Sequence, residues 1–156
     1  MRKIKILFVC HGNICRSPMA EFVFRDMVQK RGMEDLFLAA SAATSCEELG
    51  NPVHHGTVQK LKEVGISTKG KYAVQLKKSD YQIYDYIIGM EYRNIRNIER
   101  ILGSDSDHKV HKLLDFSSHP RDIADPWYTG DFDKTYQDIV EGCEGLLQYI
   151  LEHDRL

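Results

Sequence analysis

The segment Lys3-Ile4-Lys5-Ile6-Leu7-Phe8-Val9-Cys10 ends on a cysteine and passes through a short polar turn into Ser17-Pro18 and a helical pattern. The run starts by alternating and finishes continuously apolar, the pattern of a strand buried on both faces at its far end and hence of a central parallel strand. Proline is pre-shaped for the first helical position, so a helix is expected to open at Pro18. It should bury Met19, Phe22, Val23 and Met27 on one face before Gly32 stops it. A chain that begins as buried strand, tight turn and helix has few folds open to it.

The rest of the pattern repeats that theme without internal repeats, low-complexity tracts or proline-rich linkers. Strands are predicted over 37–43, 84–90 and 110–116, and helices over 52–64, 94–102 and 132–152, with a long polar loop over 117–129. The order βαβαβαβα, with right-handed crossovers, gives an α/β fold. It is a small doubly wound four-stranded parallel sheet with helices on both faces and a ligand crevice at the carboxyl ends of the strands. Cys10 ends the first strand and faces that crevice.

At 156 residues the chain has room for one domain, 1–156, since domains hold roughly 100 to 200 residues. Apolar residues at 42% and charged residues at 28% suit a packed core rather than disorder. Twenty-one basic against 23 acidic residues leave a net charge of −2, so no global field favours nucleic acid or an anionic membrane, and anion recognition has to be local. No apolar stretch nears the roughly 20 residues of a membrane span, and the start lacks the h-region and cleavage pattern of a signal peptide. Cys10, Cys15, Cys46 and Cys143 are too few and too scattered for a secreted disulfide framework, so reduced thiols and a cytoplasmic location are expected.

The segment Cys10-His11-Gly12-Asn13-Ile14-Cys15-Arg16-Ser17-Pro18 is the chemical centre of the sequence. A turn of this length that curls back to a helix N-terminus can aim successive backbone N–H groups inward and add the positive end of the helix dipole, which makes an oxyanion cradle. Gly12 can adopt backbone angles closed to other residues, and Asn13 tolerates the left-handed region, so both suit a tight ring. Arg16 offers a planar fork that can hold two oxygens of a tetrahedral anion. This positive setting, with the Ser17 hydroxyl placed to donate to sulfur, is expected to lower the pKa of Cys10 and make it a nucleophile. A lone thiol at a strand end is ordinarily inert core; the C-x5-R-S turn between strand and helix reverses that reading.

VCHGNICRSP resembles the signature of the low-molecular-weight protein tyrosine phosphatases, and the similarity runs along nearly the whole chain. It continues through Ser41-Ala42-Ala43, Gly65-Ile66 and Asp125-Pro126-Trp127-Tyr128. The resemblance implies a flavodoxin-like fold of the phosphotyrosine phosphatase I type. It also implies hydrolysis of phosphotyrosine through a cysteinyl-phosphate, with no metal and no cofactor. Cys10 is then the nucleophile, Arg16 and the loop from His11, Gly12, Asn13, Ile14 and Cys15 to Ser17 hold phosphate, and an acid protonates the leaving oxygen. Spacing alone leaves Asp115, Asp122, Asp125, Asp131 and Asp133 open for that acid. The resemblance selects Asp125, and Pro126 supports the choice by disfavouring helical geometry at the residue before it. Implied partners are a tyrosine-phosphorylated protein or peptide, a cognate tyrosine kinase, and inorganic phosphate or another oxyanion as product or inhibitor.

Trp127 and Tyr128 fall where the family walls its pocket with aromatic residues, and His11 and Ile14 are expected at the same mouth. Related arginine phosphatases carry threonine at the position of Ile14, so isoleucine tilts the substrate towards phosphotyrosine. Glu47 stands where vertebrate members have an aromatic pocket residue, which makes that wall acidic and unfavourable to acidic peptides. Gly70 and Ala73 replace a histidine and an arginine common in the family. The histidines, including His54-His55 and His108 with His111, form no closed ligand set and are read as solvated surface. The family uses the pair Cys10 and Cys15 as a reversible disulfide that shields the nucleophile from irreversible oxidation. Cys143 is read as buried packing, and Cys46 is given no role. Three other readings share the scaffold. Protein arginine phosphatase is one. Thioredoxin-coupled arsenate reductase needs two further cysteines, and residues 47–142 contain none. An inactive phosphate-binding module fits poorly with Cys10, Arg16 and Asp125 occurring together.

Overall fold

A computed structural model of the chain describes residues 2–154. Strand β1 (Ile4–Cys10) leads through the loop into α1 (Arg16–Lys30), then β2 (Phe37–Ala43), α2 (His55–Glu63), the short α3 (Asp80–Ile83) and β3 (Tyr86–Gly89). After these come α4 (Tyr92–Leu102), β4 (Val110–Lys112), the short α5 (Pro126–Thr129) and α6 (Phe132–His153). The four strands are all parallel in the order β2-β1-β3-β4. This is the expected doubly wound sheet, and its order reverses at β1. The chain leaves β1 towards β2 on one side and returns to β3 on the other, and a crevice opens where the two directions part.

β1 is apolar throughout because both of its faces are covered. Ile4, Ile6, Phe8 and Cys10 join the core under α1 and α6, while Leu7 and Val9 join Ile98 and Leu102 of α4 on the opposite face. Ile6, Phe8 and Val9 are fully buried. Cys10 pairs with Ala43 at the last rung of the β1–β2 ladder, so the nucleophile candidate sits at the end of the most enclosed strand.

Several boundaries differ from the sequence expectation, each for a physical reason. Helix α1 begins at Arg16, which puts Pro18 third rather than first. The change costs no hydrogen bond, because the first four helical N–H groups have no partner within the helix. Its buried face also includes Ala20, Phe24 and Val28, while Phe22 and Met27 are only partly covered. Helix α2 starts at His55 instead of residue 52, since Pro52 pairs with Tyr72 in an isolated antiparallel bridge. β3 is shorter than expected because α3 precedes it, and four residues carry no helical periodicity to read. β4 stops at Lys112, and Leu113–Phe116 curls into a 3-10 turn. Leu113 and Leu114 both enter the core beneath α6, which a strand cannot arrange because it sends neighbouring side chains to opposite faces.

That turn packs on glycines of α6. A Cβ on Gly145 would lie 2.1 Å from the Phe116 carbonyl oxygen, and one on Gly142 would lie 2.4 Å from Leu113 Cγ. Helix propensity alone would make Gly145→Ala stabilising by about 1 kcal/mol, but the obstruction is backbone and cannot swing aside. We predict that Gly145→Ala destabilises the protein by roughly 1 to 3 kcal/mol in urea unfolding, the usual cost of overpacking. A variant as stable as wild type would show that helix α6 is not in close contact with the turn.

Candidate active site

The loop between β1 and α1 is held by its carbonyls, which neighbouring segments engage from outside. Thr44 N–H donates to the Cys10 carbonyl at 3.0 Å, Ser45 N–H to His11 at 3.0 Å and His54 N–H to Ile14 at 2.8 Å. The Thr57 hydroxyl donates to the Cys15 carbonyl at 3.1 Å. With the carbonyls drawn outward, the amides turn in: those of Asn13 and Ser17 point at Cys10 Sγ from 3.3 and 3.4 Å. Among the described residues, the amides of Gly12, Ile14, Cys15 and Arg16 have no protein acceptor, as an anion cradle requires.

Asn13 takes the left-handed backbone conformation as expected, at φ 59°. Gly12 does not. Its φ is negative, and a Cβ there would make a tight approach, 3.3 Å from Glu48 Cγ. Asn13 and Ser17 do not line the cavity; they lie behind Sγ, with Ser17 Oγ 3.1 Å from it.

Arg16 is 2% exposed and is compensated on several sides. Its Nη1 donates to Glu91 Oε2 at 2.5 Å and to the Ile123 carbonyl at 2.8 Å, and Nη2 lies 3.3 Å from Asp125 Oδ2. Burial opposes the charge, but Cys10, Asp125 and Glu91 together outweigh it and hold the guanidinium above its ordinary value. Asp125 adopts the extended backbone expected before proline and caps α5, its Oδ1 accepting from Trp127 N–H at 3.0 Å. Glu91 is aimed at Arg16 by the start of α4, where Asn94 Oδ1 accepts from the amides of Met90 at 2.9 Å and Glu91 at 3.1 Å.

A cavity of about 140 Å³ brings together Cys10, His11, Gly12, Ile14, Cys15, Arg16, Glu47, Asp125, Trp127 and Tyr128, all singled out from the sequence, and adds Glu48. Trp127 is 56% exposed and Tyr128 82%, so neither serves as core packing. Trp127 stands edge-on to His54 with ring centroids 5.6 Å apart, and Glu47 pairs with His11 at the mouth. Ala73 packs with Ile14 and Cys15 under the loop. His54 corrects the expectation of a solvated histidine. It is partly buried, accepts from Gly56 N–H at 3.0 Å to cap α2 and stacks on Phe132; burial and the neighbouring His55 lower its pKa.

The family model described as low molecular weight phosphotyrosine protein phosphatase matches residues 5–155. The chain belongs to that family. It is 43% identical over 155 residues to the low molecular weight protein-tyrosine-phosphatase YfkJ of Bacillus subtilis, covering 98% of this chain and 99% of the relative. The crystal structure of YfkJ superimposes with a TM-score of 0.95 at 41% identity over 99% of both chains. SP-PTP, the low molecular weight protein tyrosine phosphatase of Streptococcus pyogenes, gives 0.85 at 39% identity over 97% of this chain and 99% of that one. DARP, described as a Drosophila arginine phosphatase, gives 0.87 at 30% identity over 97% and 100%.

Within this phosphatase scaffold, Glu91, Glu48 and the Ile123 carbonyl are site groups that sequence reading missed. Glu91 had a usable signal: it lies two residues beyond the end of β3, and strand carboxyl ends face the crevice in a doubly wound sheet. The Ile123 carbonyl had none, because a backbone oxygen has no letter of its own.

The cysteines differ sharply in setting. Cys46 is exposed, while Cys15 and Cys143 are buried. Burial, with the nearby Cys10 and Asp125 adding to it, pushes the Cys15 thiol up to about 12, and burial likewise raises Cys143. At pH 8 only about one Cys15 in ten thousand is then a thiolate, the form that reacts. Brief iodoacetamide treatment of the native protein at pH 8 should therefore leave Cys15 and Cys143 unmodified while labelling Cys46, as read by peptide mass spectrometry. Rapid labelling of Cys15 would contradict this account of its surroundings.

Proposed function

We propose that the chain hydrolyses phosphotyrosine in proteins, with Cys10 as nucleophile, Arg16 and the loop amides as the phosphate site, and Asp125 as general acid and base. One observation carries the reading: a buried sulfur at the end of β1 sits inside a ring of inward-pointing amides, in one cavity with a buried guanidinium and a loop carboxyl. In the first step Cys10 sulfur bonds to phosphorus as the bond to the ester oxygen breaks, and Asp125 gives its proton to that oxygen. In the second, Asp125 takes a proton from water as the water oxygen displaces sulfur, releasing inorganic phosphate and restoring the thiolate. The fixed amides and Arg16 stabilise the charge on the equatorial oxygens in both steps.

Trp127 and Tyr128 support an aromatic substrate, since rings at the mouth suit a phenyl group in transit. Ile14 adds an apolar wall that offers no hydrogen bond to a guanidinium, which favours phosphotyrosine over phosphoarginine even though DARP shares the scaffold. Glu47 and Glu48 make one side of the mouth acidic and unfavourable to acidic flanking residues. Residues 1–156 are read as one catalytic domain acting in the cytoplasm on tyrosine-phosphorylated proteins, with a cognate tyrosine kinase as a natural counterpart. The family match over 5–155 supports the single domain, and a mechanism that needs a reduced thiol supports the compartment.

Phosphate release from a phosphotyrosine peptide and from phosphoarginine, measured side by side without added metal, tests the assignment. Wild type should prefer the peptide, and Cys10→Ser should lose turnover on it while still binding inorganic phosphate, because the cradle is largely backbone. The reverse preference would make the chain an arginine phosphatase. Release from neither would point to arsenate reduction or to an anion-binding module. Asp125→Ala should cost about 10² to 10⁴ in kcat/KM on phenyl phosphate, the usual range for a lost general acid, and distinctly less on p-nitrophenyl phosphate, whose leaving group needs little protonation; kcat/KM is the quantity to compare because it leaves out the hydrolysis step that the two esters share. Equal losses on the two esters would remove Asp125 from the acid's role.

A further inference from the structure

The catalytic cavity opens sideways into a groove of about 450 Å³. The groove shares His11, Arg16, Asp125 and Tyr128 with the cavity and extends past the start of α4 to Arg93, without reaching Glu47 or Glu48. Each acid along it is already engaged. Glu91 and Asp125 serve Arg16, while Asp122 Oδ1 accepts from Lys112 Nζ at 2.9 Å and from Tyr92 N–H at 3.1 Å. Arg93 is the opposite case: it is exposed, and among the described residues it has neither a carboxylate partner nor a hydrogen-bond acceptor.

Arg93 also begins a row of cations. Helix α4 turns Ile98 and Leu102 inward to join Leu7, Val9 and Ile87 in the core. Arg93, Arg96 and Arg100 fall within about 60° of one another on the outer side, at about 100° per residue, and all three are exposed. Glu99 lies off this row, about 120° round the helix from Arg93, and no carboxylate among the described residues pairs with any of the three. Helix stability does not account for them. Arg96 and Arg100 are like charges one turn apart, a combination that weakens a helix. The helix dipole favours a cation at Arg100 in the last turn but opposes one at Arg93 in the first. Three solvent-facing cations without counter-charges, on a chain of net charge −2, form a local field complementary to an anionic partner.

The spacing of the row suits an extended chain. Arg93 to Arg100 covers about 10 Å along the helix at 1.5 Å per residue, the length of about three residues of strand. The row starts in the groove that opens on the cavity, so a chain whose phosphotyrosine is seated over Cys10 can leave through the groove and lie along it. We propose that this groove and the outer face of α4 dock an acidic segment of the substrate protein, a few residues to one side of the phosphotyrosine. The proposal rests on the phosphatase reading above and narrows its substrate class to phosphotyrosines flanked on one side by Asp or Glu. Glu47 and Glu48 repel the same charge from their part of the mouth, so the two walls together set the direction in which the substrate chain crosses it.

Phosphate release is measured at low salt from three phosphotyrosine peptides, with a run of Glu before the phosphotyrosine, with the same run after it, or with Gln at all of these positions. For each enzyme the Gln peptide is the reference. Wild type should favour one acidic peptide, and only one, by about tenfold in kcat/KM, the size of three exposed ion pairs, with the difference in KM. Added NaCl should shrink the preference, because exposed charges are screened. Arg93→Glu should lose most of it. Arg93→Glu/Arg96→Glu/Arg100→Glu should reverse it and favour a peptide with Lys at the same positions, a reversal that structural damage cannot produce. If that variant does not fold, Arg93→Gln/Arg100→Gln decides by loss of the preference. No preference in wild type, equal gains on both sides, or a preference that survives neutralisation or reversal of the arginines would each overturn the proposal. No release from any peptide, the Gln peptide included, would instead overturn the phosphatase reading itself.

Discussion

Burying Arg16 is the constraint around which the upper end of the molecule is organised. An ion of this size taken out of water costs several kcal/mol even after relaxation, and only close partners offset that cost. The partners come from three separate places: Glu91 after β3, the Ile123 carbonyl, and Asp125 ahead of α5. One guanidinium therefore ties the loop after β1 to the end of β3 and to the long connection before α6. The candidate nucleophile and the candidate acid are not neighbours in sequence; they are brought together because both lie beside the same enclosed cation.

The neighbouring strand supplies rigidity where the chemistry needs it. Cys10 is the last residue of a strand paired on both sides and covered on both faces, and the loop beyond it is pinned by its carbonyls. A left-handed residue such as Asn13 costs some conformational energy, and its side-chain amide recovers it with bonds to Ser17, Ser41 and Val74. The resulting cradle is organised before any anion arrives, so little reorganisation is left for the reaction itself.

Most of the sheet was legible because its signals are local. The pattern over Lys3–Cys10 reads as a strand enclosed on both faces at its far end, one residue longer than the observed Ile4–Cys10, and the strand over 37–43 has the predicted bounds. What failed was decided by packing at a distance. Nothing within Leu113–Phe116 says that glycines of α6 lie beneath it and pull the end of the predicted strand into a 3-10 turn. Pro18 marked a helix start correctly in kind but two residues late, since the loop needs Arg16 and Ser17 in helical geometry to turn their amides inward. In the site, the residues with chemistry of their own were visible, from Cys10 and Arg16 to Trp127. Gly12 does not use the left-handed freedom open to glycine, and the closeness of Glu48 to it is a tertiary fact with no sequence signal. Arg93 looks like an ordinary surface charge, and only the folded chain shows that it lines a groove opening on the cavity.

The charge around the cavity runs against the obvious expectation for a phosphate site. Glu47, Glu48, Glu91 and Asp125 surround a single buried arginine, and the whole chain is slightly acidic at −2. Long-range attraction therefore contributes little to recognition, and affinity has to come from amides and a guanidinium within contact distance, where the surrounding protein strengthens each bond. The same arrangement couples binding to chemistry in the proposed reaction. A dianionic phosphate and an ionised Asp125 compete for one edge of Arg16, and a protonated Asp125 does not compete. The complex that binds phosphate best is then the one whose acid still carries the proton that the leaving oxygen needs. An acidic mouth thus weakens the first encounter, and recognition rests on the contacts made once the anion is seated among the amides and Arg16.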